Sequence, residues 1–141
     1  MERLYDLVII GGLGHVGLPL GLAFADRGLK VCLVDRDREK AEMVRKGEMP
    51  FIEYGAEPIL KKVLASGKLT VSLDSKEISQ ATYVIVAIGT PVDEYLNPKT
   101  RNFLEFFEGI RPLLDKEQII VIRSSVYPRT CEQVQNLLGK E

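Results

Sequence analysis

The sequence predicts an α/β protein built on a doubly wound parallel sheet. Short apolar runs alternate with helix-like segments along the whole chain, an order that builds parallel sheets. The runs at 5–10 and 83–88 are almost wholly apolar, as in strands that are covered on both faces. The first run leads directly into Gly12-x-Gly14-x-x-Gly17 at the opening of a helix. That placement is typical of a dinucleotide-binding unit, so we predict a Rossmann-type sheet of about five strands.

The first half of the chain is assigned from the spacing of its apolar residues. Strands are predicted at short apolar runs, and helices where apolar residues recur every three or four positions. Gly28 and Gly47 follow the first two helical segments and are expected to end them. The predicted elements are a strand at 5–10, a helix at 16–26, a strand at 30–34, a helix at 38–46 and a helix at 57–65.

The second half continues the same alternation. A polar loop is predicted between the strand at 83–88 and an aromatic-rich helix at 103–114, whose apolar residues keep helical spacing. Thr130 is expected to cap the last helix at its N-terminus. The predicted elements are a strand at 69–72, a helical turn at 76–80, a strand at 83–88, a helix at 103–114, a strand at 118–122 and a helix at 130–138.

Composition narrows the class of protein. A chain of 141 residues with 45% hydrophobic and 28% charged residues is typical of one globular domain. The net charge of −1 gives no basic excess, so no nucleic-acid partner is expected. No apolar stretch is long enough to cross a membrane. The two cysteines and the single histidine fit no metal or disulfide pattern, so we expect no metal site and a cytoplasmic location.

Each glycine of the loop has a predicted task. Gly12 is expected to let the chain turn sharply off the strand, Gly14 to let a pyrophosphate approach the backbone, and Gly17 to let the helix pack closely on the strand. The N-terminus of the helix presents free N–H groups and a partial positive charge to the phosphates.

Asp35 ends the second predicted strand at about 20 residues from the loop, where a carboxylate accepts from both hydroxyls of an adenosine ribose. A carboxylate there repels a 2′-phosphate, so the sequence favours NAD over NADP. The neighbouring Arg36 and Arg38 weaken that preference, because an arginine accommodates a 2′-phosphate.

Five motifs resemble those of the nucleotide-sugar dehydrogenases. In the first, His15 replaces the tyrosine of the family's G-L-G-Y-V-G-L-P. In the last, resembling S-T-V-x-P-G-T, Ser125 replaces threonine and Arg129 replaces glycine. The five motifs are Gly12–Pro19, Val34-Asp35 with Lys40, Gly47-x-x-Pro50-x-x-Glu53, Thr90-Pro91-Val92-Asp93-Glu94 and Ser124–Thr130.

The resemblance implies a role for each matching residue. The cofactor pyrophosphate is contacted by the loop residues Gly12, Leu13, Gly14, His15, Val16 and Gly17. Asp35 binds the adenosine ribose, and Lys40 lies near that ribose, although a solvated helix charge is an equal alternative. Thr90 and Pro91 lie near the nicotinamide ribose, and Ser125 supports catalysis near the nicotinamide. Glu94 faces the substrate, with an ordinary solvated loop carboxylate as the alternative.

Members of this family oxidise C6 of UDP-glucose or a UDP-N-acetylhexosamine to the uronic acid with two NAD. The resemblance implies that residues 1–141 form the N-terminal NAD-binding domain, truncated before a sixth strand, of a longer protein that is a homodimer. The helical linker, the UDP-sugar domain and the nucleophilic cysteine are expected outside this chain, since neither Cys32 nor Cys131 matches the family's cysteine. Such a fragment binds NAD without turnover. The alternatives are a stand-alone NAD-binding regulatory domain and a different hydroxyacid-type NAD dehydrogenase.

Overall fold

The computed structural model describes residues 3–89, 100–126 and 128–139. Its five strands form one parallel sheet in the order β3-β2-β1-β4-β5, which confirms the predicted fold class. The elements are β1 (Tyr5–Ile10), α1 (Gly17–Asp26), β2 (Val31–Val34), α2 (Arg38–Arg45), α3 (Ala56–Ala65), β3 (Leu69–Ser72), a 3₁₀ helix (Ser75–Gln80), β4 (Ala81–Val86), α4 (Thr100–Ile110), a 3₁₀ turn (Arg111–Leu113), β5 (Ile119–Ile122) and α5 (Thr130–Leu138).

The sheet separates two hydrophobic cores. Alternate residues of each strand point to opposite faces, so Ile9 and Leu33 belong to the core under α1 and α3, whereas Val8 and Val84 belong to the core under α4 and α5. Phe107 of α4 is fully buried in the second core. Both faces of β1 and β2 are therefore covered, as the unbroken apolar runs predict.

The strand order reverses direction between β1 and β4. The chain proceeds from β1 to β2 and β3 on one side, and then returns to place β4 on the other side of β1. The loops that follow β1 and β4 therefore leave the sheet in opposite directions and open a crevice at its carboxyl edge. Ligands of open α/β sheets bind at this switch point.

The structure corrects the end of one predicted helix and the N-cap of another. The helix expected at 103–114 is α4, which ends at Ile110 and continues as the 3₁₀ turn, because Pro112 has no N–H and its ring clashes with an α-helical turn. Thr130 is not the N-cap of α5. Arg129 holds that position with φ +70° and no side-chain cap, while Thr130 lies buried inside the helix.

One face of the sheet stays open at β4 and β5. Tyr83, Ile119 and Val121 are 45%, 52% and 44% exposed, and Tyr83 is the register partner of Ile119. By contrast, Phe103 and Phe107 of α4 are buried and meet edge to face, as expected for core residues. Within the described ranges, no helix has the length and apolarity that crossing a bilayer requires.

Candidate nucleotide-binding site

The turn of the glycine-rich loop begins at Gly11, directly after β1. Gly11 has φ +77°, a left-handed conformation that favours glycine, and its N–H donates to the carbonyl of Val34 at 2.9 Å. Gly12 follows inside this turn, which the N–H of Gly14 closes by donating to the carbonyl of Gly11 at 3.2 Å. A Cβ on Gly12 would lie 2.8 Å from the Cβ of Leu33 and 2.9 Å from the carbonyl oxygen of Ile9. Gly12 serves close packing of the loop on the two strands.

Gly14 and Gly17 differ in what surrounds them. A Cβ on Gly14 would have one neighbour within 4 Å, the carbonyl oxygen of Gly11 at 3.5 Å, so the backbone there is open to a ligand. A Cβ on Gly17 would collide with that same carbonyl oxygen and lie 2.9 Å from the Cα of Gly12. The prediction that Gly17 permits close helix packing is confirmed.

The N-terminus of α1 has the character of an anion site. The backbone N–H groups of His15 and Val16 find no acceptor among the described residues, and the first turn contains no acidic side chain. Unpaired N–H groups and the helix dipole together favour an anion. An acidic ligand such as a pyrophosphate would satisfy these donors beside the open backbone of Gly14.

Asp35 joins the end of β2 to the glycine-rich loop. Its Oδ2 accepts from the N–H of Leu13 at 3.0 Å, and its Oδ1 accepts from the N–H of Asp37 at 3.1 Å. A carboxylate has about four lone-pair positions, so each oxygen keeps one for a further donor. The half-buried carboxylate is thus held by two backbone groups while it remains able to accept from a ligand hydroxyl.

A cavity of about 760 Å³ opens at the carboxyl edge of the sheet, within the size range of small-molecule and cofactor sites. Gly14 and Asp35 line it together, with Arg36 beside them. Ile78 of the 3₁₀ helix and Phe106 of α4 contribute apolar surface. A carboxylate next to apolar walls suits a ligand with hydroxyls and a flat ring.

Lys40 lies outside the lining of this cavity. Its backbone N–H donates to Oδ1 of Asp37 at 3.1 Å, which caps the N-terminus of α2. Its side chain forms no ion pair within the described part of the chain.

Ser125 follows β5 and is exposed. The preceding Ser124 anchors this segment, since its Oγ donates to the carbonyl of Ile88 at 2.8 Å. Ser125 therefore stands just beyond the joined ends of β4 and β5. The predicted site residues Thr90 and Pro91, and Glu94 of the same motif, lie outside the described residues.

Phe51 is a neighbour of the loop that the sequence did not reveal. Its ring stacks on the imidazole of His15 with 4.2 Å between ring centroids and 20° between planes. Phe51 lies in the Gly47-x-x-Pro50-x-x-Glu53 motif, which indicated an irregular segment but gave no sign of its partner. The stack connects this segment to the residue that follows Gly14.

The cysteines lie away from the cavity. Cys32 is fully buried in β2, where burial and then the nearby Glu77 carboxylate raise the pKa of its thiol to about 12. Cys131 is exposed near the start of α5. Among the described residues, no group of three or more His, Cys, Asp or Glu side chains is arranged to hold a metal ion.

Comparison with known proteins places these features in a family. Residues 6–141 match the model of the NAD binding domain of the UDP-glucose/GDP-mannose dehydrogenase family. The chain is 35% identical over 133 residues to a UDP-glucose 6-dehydrogenase of Pseudomonas aeruginosa, covering 94% of this chain and 29% of that protein. It is 30% identical over 142 residues to a UDP-N-acetyl-D-mannosamine dehydrogenase of Methanococcus aeolicus, covering 99% and 32%.

Solved structures of nucleotide-sugar dehydrogenases are similar in fold to this chain. The UDP-N-acetyl-mannosamine dehydrogenase Cap5O of Staphylococcus aureus superposes with a TM-score of 0.82 at 28% identity, over 96% of this chain and 33% of that one. A GDP-mannose dehydrogenase of Pseudomonas aeruginosa shares the fold with a TM-score of 0.86 at 23% identity, over 96% and 33%. The chain spans about a third of the length of each of these four relatives.

Proposed function

Because the chain belongs to the UDP-glucose/GDP-mannose dehydrogenase family, as its NAD binding domain, we propose that it supplies the NAD site of a longer nucleotide-sugar dehydrogenase. That enzyme oxidises C6 of a UDP-hexose or UDP-N-acetylhexosamine to the uronic acid with two NAD. The proposal is supported by relatives whose names state UDP-glucose and UDP-N-acetyl-D-mannosamine as their substrates.

The observation that carries the NAD site is the shared position of Gly14 and Asp35 on one cavity. Open backbone at Gly14, next to unpaired N–H groups, suits the pyrophosphate, and the tethered carboxylate of Asp35 suits the adenosine ribose. NAD, when bound, supplies the hydride acceptor. The residues present therefore fit this cofactor.

The site residues keep the proposed roles that the family motifs imply. The pyrophosphate contacts come from the loop residues Gly12, Leu13, Gly14, His15, Val16 and Gly17. Lys40 contributes charge near the adenosine ribose, while Thr90 and Pro91 border the nicotinamide ribose. Ser125 keeps the hydroxyl of the family's threonine and supports catalysis beside the nicotinamide.

The rest of the reaction is assigned to the part of the longer protein that residues 1–141 do not span. In this proposal the nucleophilic cysteine and the UDP-sugar site lie there, and the chain binds NAD without turnover. The proposal also includes a homodimer for the longer protein, no nucleic-acid partner and a cytoplasmic location. Two free thiols suit a reducing compartment. The family match favours neither a stand-alone regulatory domain nor a different hydroxyacid-type dehydrogenase.

Titration calorimetry of the chain with NAD and, separately, NADP tests the proposed site. We expect NAD to bind, and Asp35→Ala to weaken binding by about 1–3 kcal/mol, the range for a lost hydrogen bond to a charged group. Asp26→Ala removes a carboxylate that pairs with Lys62 on the far end of α1, and serves as the matched control. A folded chain that binds no NAD would contradict the proposed site. A full-length protein inactive on a panel of UDP-sugars would contradict the proposed reaction.

A further inference from the structure

Arg36 lies directly after Asp35 and lines the same cavity. Its side chain is exposed and forms no hydrogen bond or ion pair within residues 3–89, 100–126 and 128–139. A guanidinium carries several N–H donors and a permanent positive charge. A ligand in the cavity can therefore engage this group without first breaking a contact inside the domain.

The carboxylate of Asp35 is held by backbone groups rather than by Arg36. Its two oxygens accept from the N–H groups of Leu13 and Asp37 at 3.0 Å and 3.1 Å. Both Asp35 and Arg36 belong to the described part of the chain, and no ion pair joins their side chains. The carboxylate and the cation are therefore two separate recognition groups on one cavity, the first suited to hydroxyls and the second to an anion.

Arg36 is the one cation among the described residues that line the cavity. The other arginine close to Asp35 in sequence, Arg38, begins α2 and is absent from that lining. The second carboxylate of the lining, Glu105, pairs with Arg101 at 3.4 Å, one helical turn away. The remaining charges of the lining, on Asp35 and Arg36, cancel, so the cavity carries no excess negative charge that would exclude a further anion.

The anion that suits this position is a second phosphate on the adenosine ribose. The 2′-hydroxyl that Asp35 is proposed to bind carries a phosphate in NADP, which would place that phosphate next to the residue that follows Asp35. A phosphate monoester carries about −1.5 to −2 charges at pH 7, and arginine binds it through paired, charge-assisted hydrogen bonds. Asp35 repels this group whereas Arg36 attracts it, so the two side chains have opposite effects on NADP.

We propose that Arg36 is a specificity-determining residue that lets the NAD site also accept NADP, by pairing with the 2′-phosphate. The inference rests on the proposed function, because it assumes that the adenosine ribose lies at Asp35. NAD remains the tighter ligand, since its free 2′-hydroxyl donates to the Asp35 carboxylate. The longer dehydrogenase accordingly takes NADP as a second, weaker hydride acceptor.

Calorimetric titrations with NAD and with NADP, on the unaltered chain and two variants, test this assignment. We expect the unaltered chain to bind NADP about tenfold more weakly than NAD, because the hydrogen bond from the 2′-hydroxyl to Asp35 is lost. Arg36→Ala should weaken NADP binding by about a further tenfold, the loss expected for a charge-assisted hydrogen bond. The same variant should change the Kd for NAD by less than about twofold, as is usual for an exposed side chain without a partner. Arg38→Ala removes the same charge from an exposed residue outside the cavity lining, and should leave the ratio of the two Kd values unaltered.

A second pair of ligands separates the 2′-phosphate from the rest of the dinucleotide. Adenosine 2′,5′-bisphosphate and AMP differ only by this phosphate, so Arg36→Ala should weaken binding of the bisphosphate and leave that of AMP nearly unchanged. Urea denaturation of each variant checks that the chain is folded, as we expect because both arginines are exposed.

The outcomes distinguish this inference from the proposed function. If the unaltered chain binds NAD but not NADP, or Arg36→Ala weakens both dinucleotides equally, the inference fails while the NAD site stands. It fails in the same way if Arg38→Ala changes the ratio as much as Arg36→Ala, or if the bisphosphate and AMP respond alike. If none of the folded chains binds either dinucleotide, the proposed function fails with it.

Discussion

The N–H of Leu13 donates a 3.0 Å hydrogen bond to Oδ2 of Asp35, across 22 residues of sequence. Leu13 is fully buried, and this bond gives its N–H an acceptor. The carboxylate proposed to bind the adenosine ribose is thus also a structural part of the glycine-rich loop. Removing this carboxylate should therefore weaken NAD binding and also lower the stability of the folded chain.

Asp35 is therefore expected to stabilise the chain even without NAD. Asp35→Ala leaves the buried Leu13 N–H unpaired, which should lower the free energy of unfolding by about 1–3 kcal/mol. Asp35→Asn keeps an amide oxygen that accepts this bond, so it should recover much of the stability. Urea denaturation of the three chains measures the difference. Equal stability of Asp35→Ala and the unaltered chain would show that the bond contributes nothing.

Gly14→Ala should abolish NAD binding while it leaves the stability of the chain nearly unchanged. The added Cβ meets nothing closer than the Gly11 carbonyl oxygen at 3.5 Å, so the unfolding free energy should change by less than about 1 kcal/mol. The same methyl group would occupy the space that a pyrophosphate needs, so NAD binding should be lost. Denaturation and calorimetry on the same sample check both parts. Unimpaired NAD binding would show that the phosphates lie elsewhere.

Gly17→Ala should damage the fold itself. Its Cβ collides with the backbone carbonyl of Gly11, which a side-chain rotation cannot relieve, so we expect a loss of about 1–3 kcal/mol or more. Gly109→Ala is the matched control, because Gly109 lies in α4 and an added Cβ there meets no atom within 4 Å. That change should be neutral or stabilise the chain by about 0.5–1 kcal/mol. Thermal unfolding of both variants tests the contrast.

The buried thiol of Cys32 should make the chain sensitive to alkali. Its pKa is about 12 in the fold and about 8.5 in an unfolded chain, so the unfolded state releases this proton first. The stabilisation is complete below about pH 8.5 and is lost as pH rises toward 12, by at most about 1.4 kcal/mol per pH unit. The Tyr5 hydroxyl has a raised pKa for the same main reason, burial, and adds to the loss at higher pH.

Cys32→Ala is expected to flatten this dependence. Its unfolding free energy should be lower below about pH 8.5, because a small void is left, but it should fall less steeply between about pH 8.5 and 10. Cys131→Ala, at an exposed position, should keep the slope of the unaltered chain. Denaturant titrations across this pH range measure the slopes. Parallel slopes for both variants would rule out the thiol as the cause.

The local sequence was sufficient to predict those features that depend only on residues close together in the chain. The apolar run of β1 and the periodic run of α5 have the bounds that their patterns predict. The spacing of Gly14, Gly17 and Asp35 indicated the loop and the acid of one site, and the cavity that Gly14 and Asp35 share agrees. Spacing succeeds here because strand, turn and helix follow one another within a single βαβ unit.

Other features depend on atoms far away in the chain. The left-handed residue of the turn is Gly11, whose N–H donates to the carbonyl of Val34 on the neighbouring strand. The stack of His15 on Phe51 and the bond from Leu13 to Asp35 likewise join segments that are brought together by packing. The spacing of apolar residues along the sequence predicts which side chains are buried. Which side chains contact each other depends on strand register and on where the helices pack. The motifs therefore predicted a candidate site, whereas the contacts that hold the glycine-rich loop in shape required the folded chain.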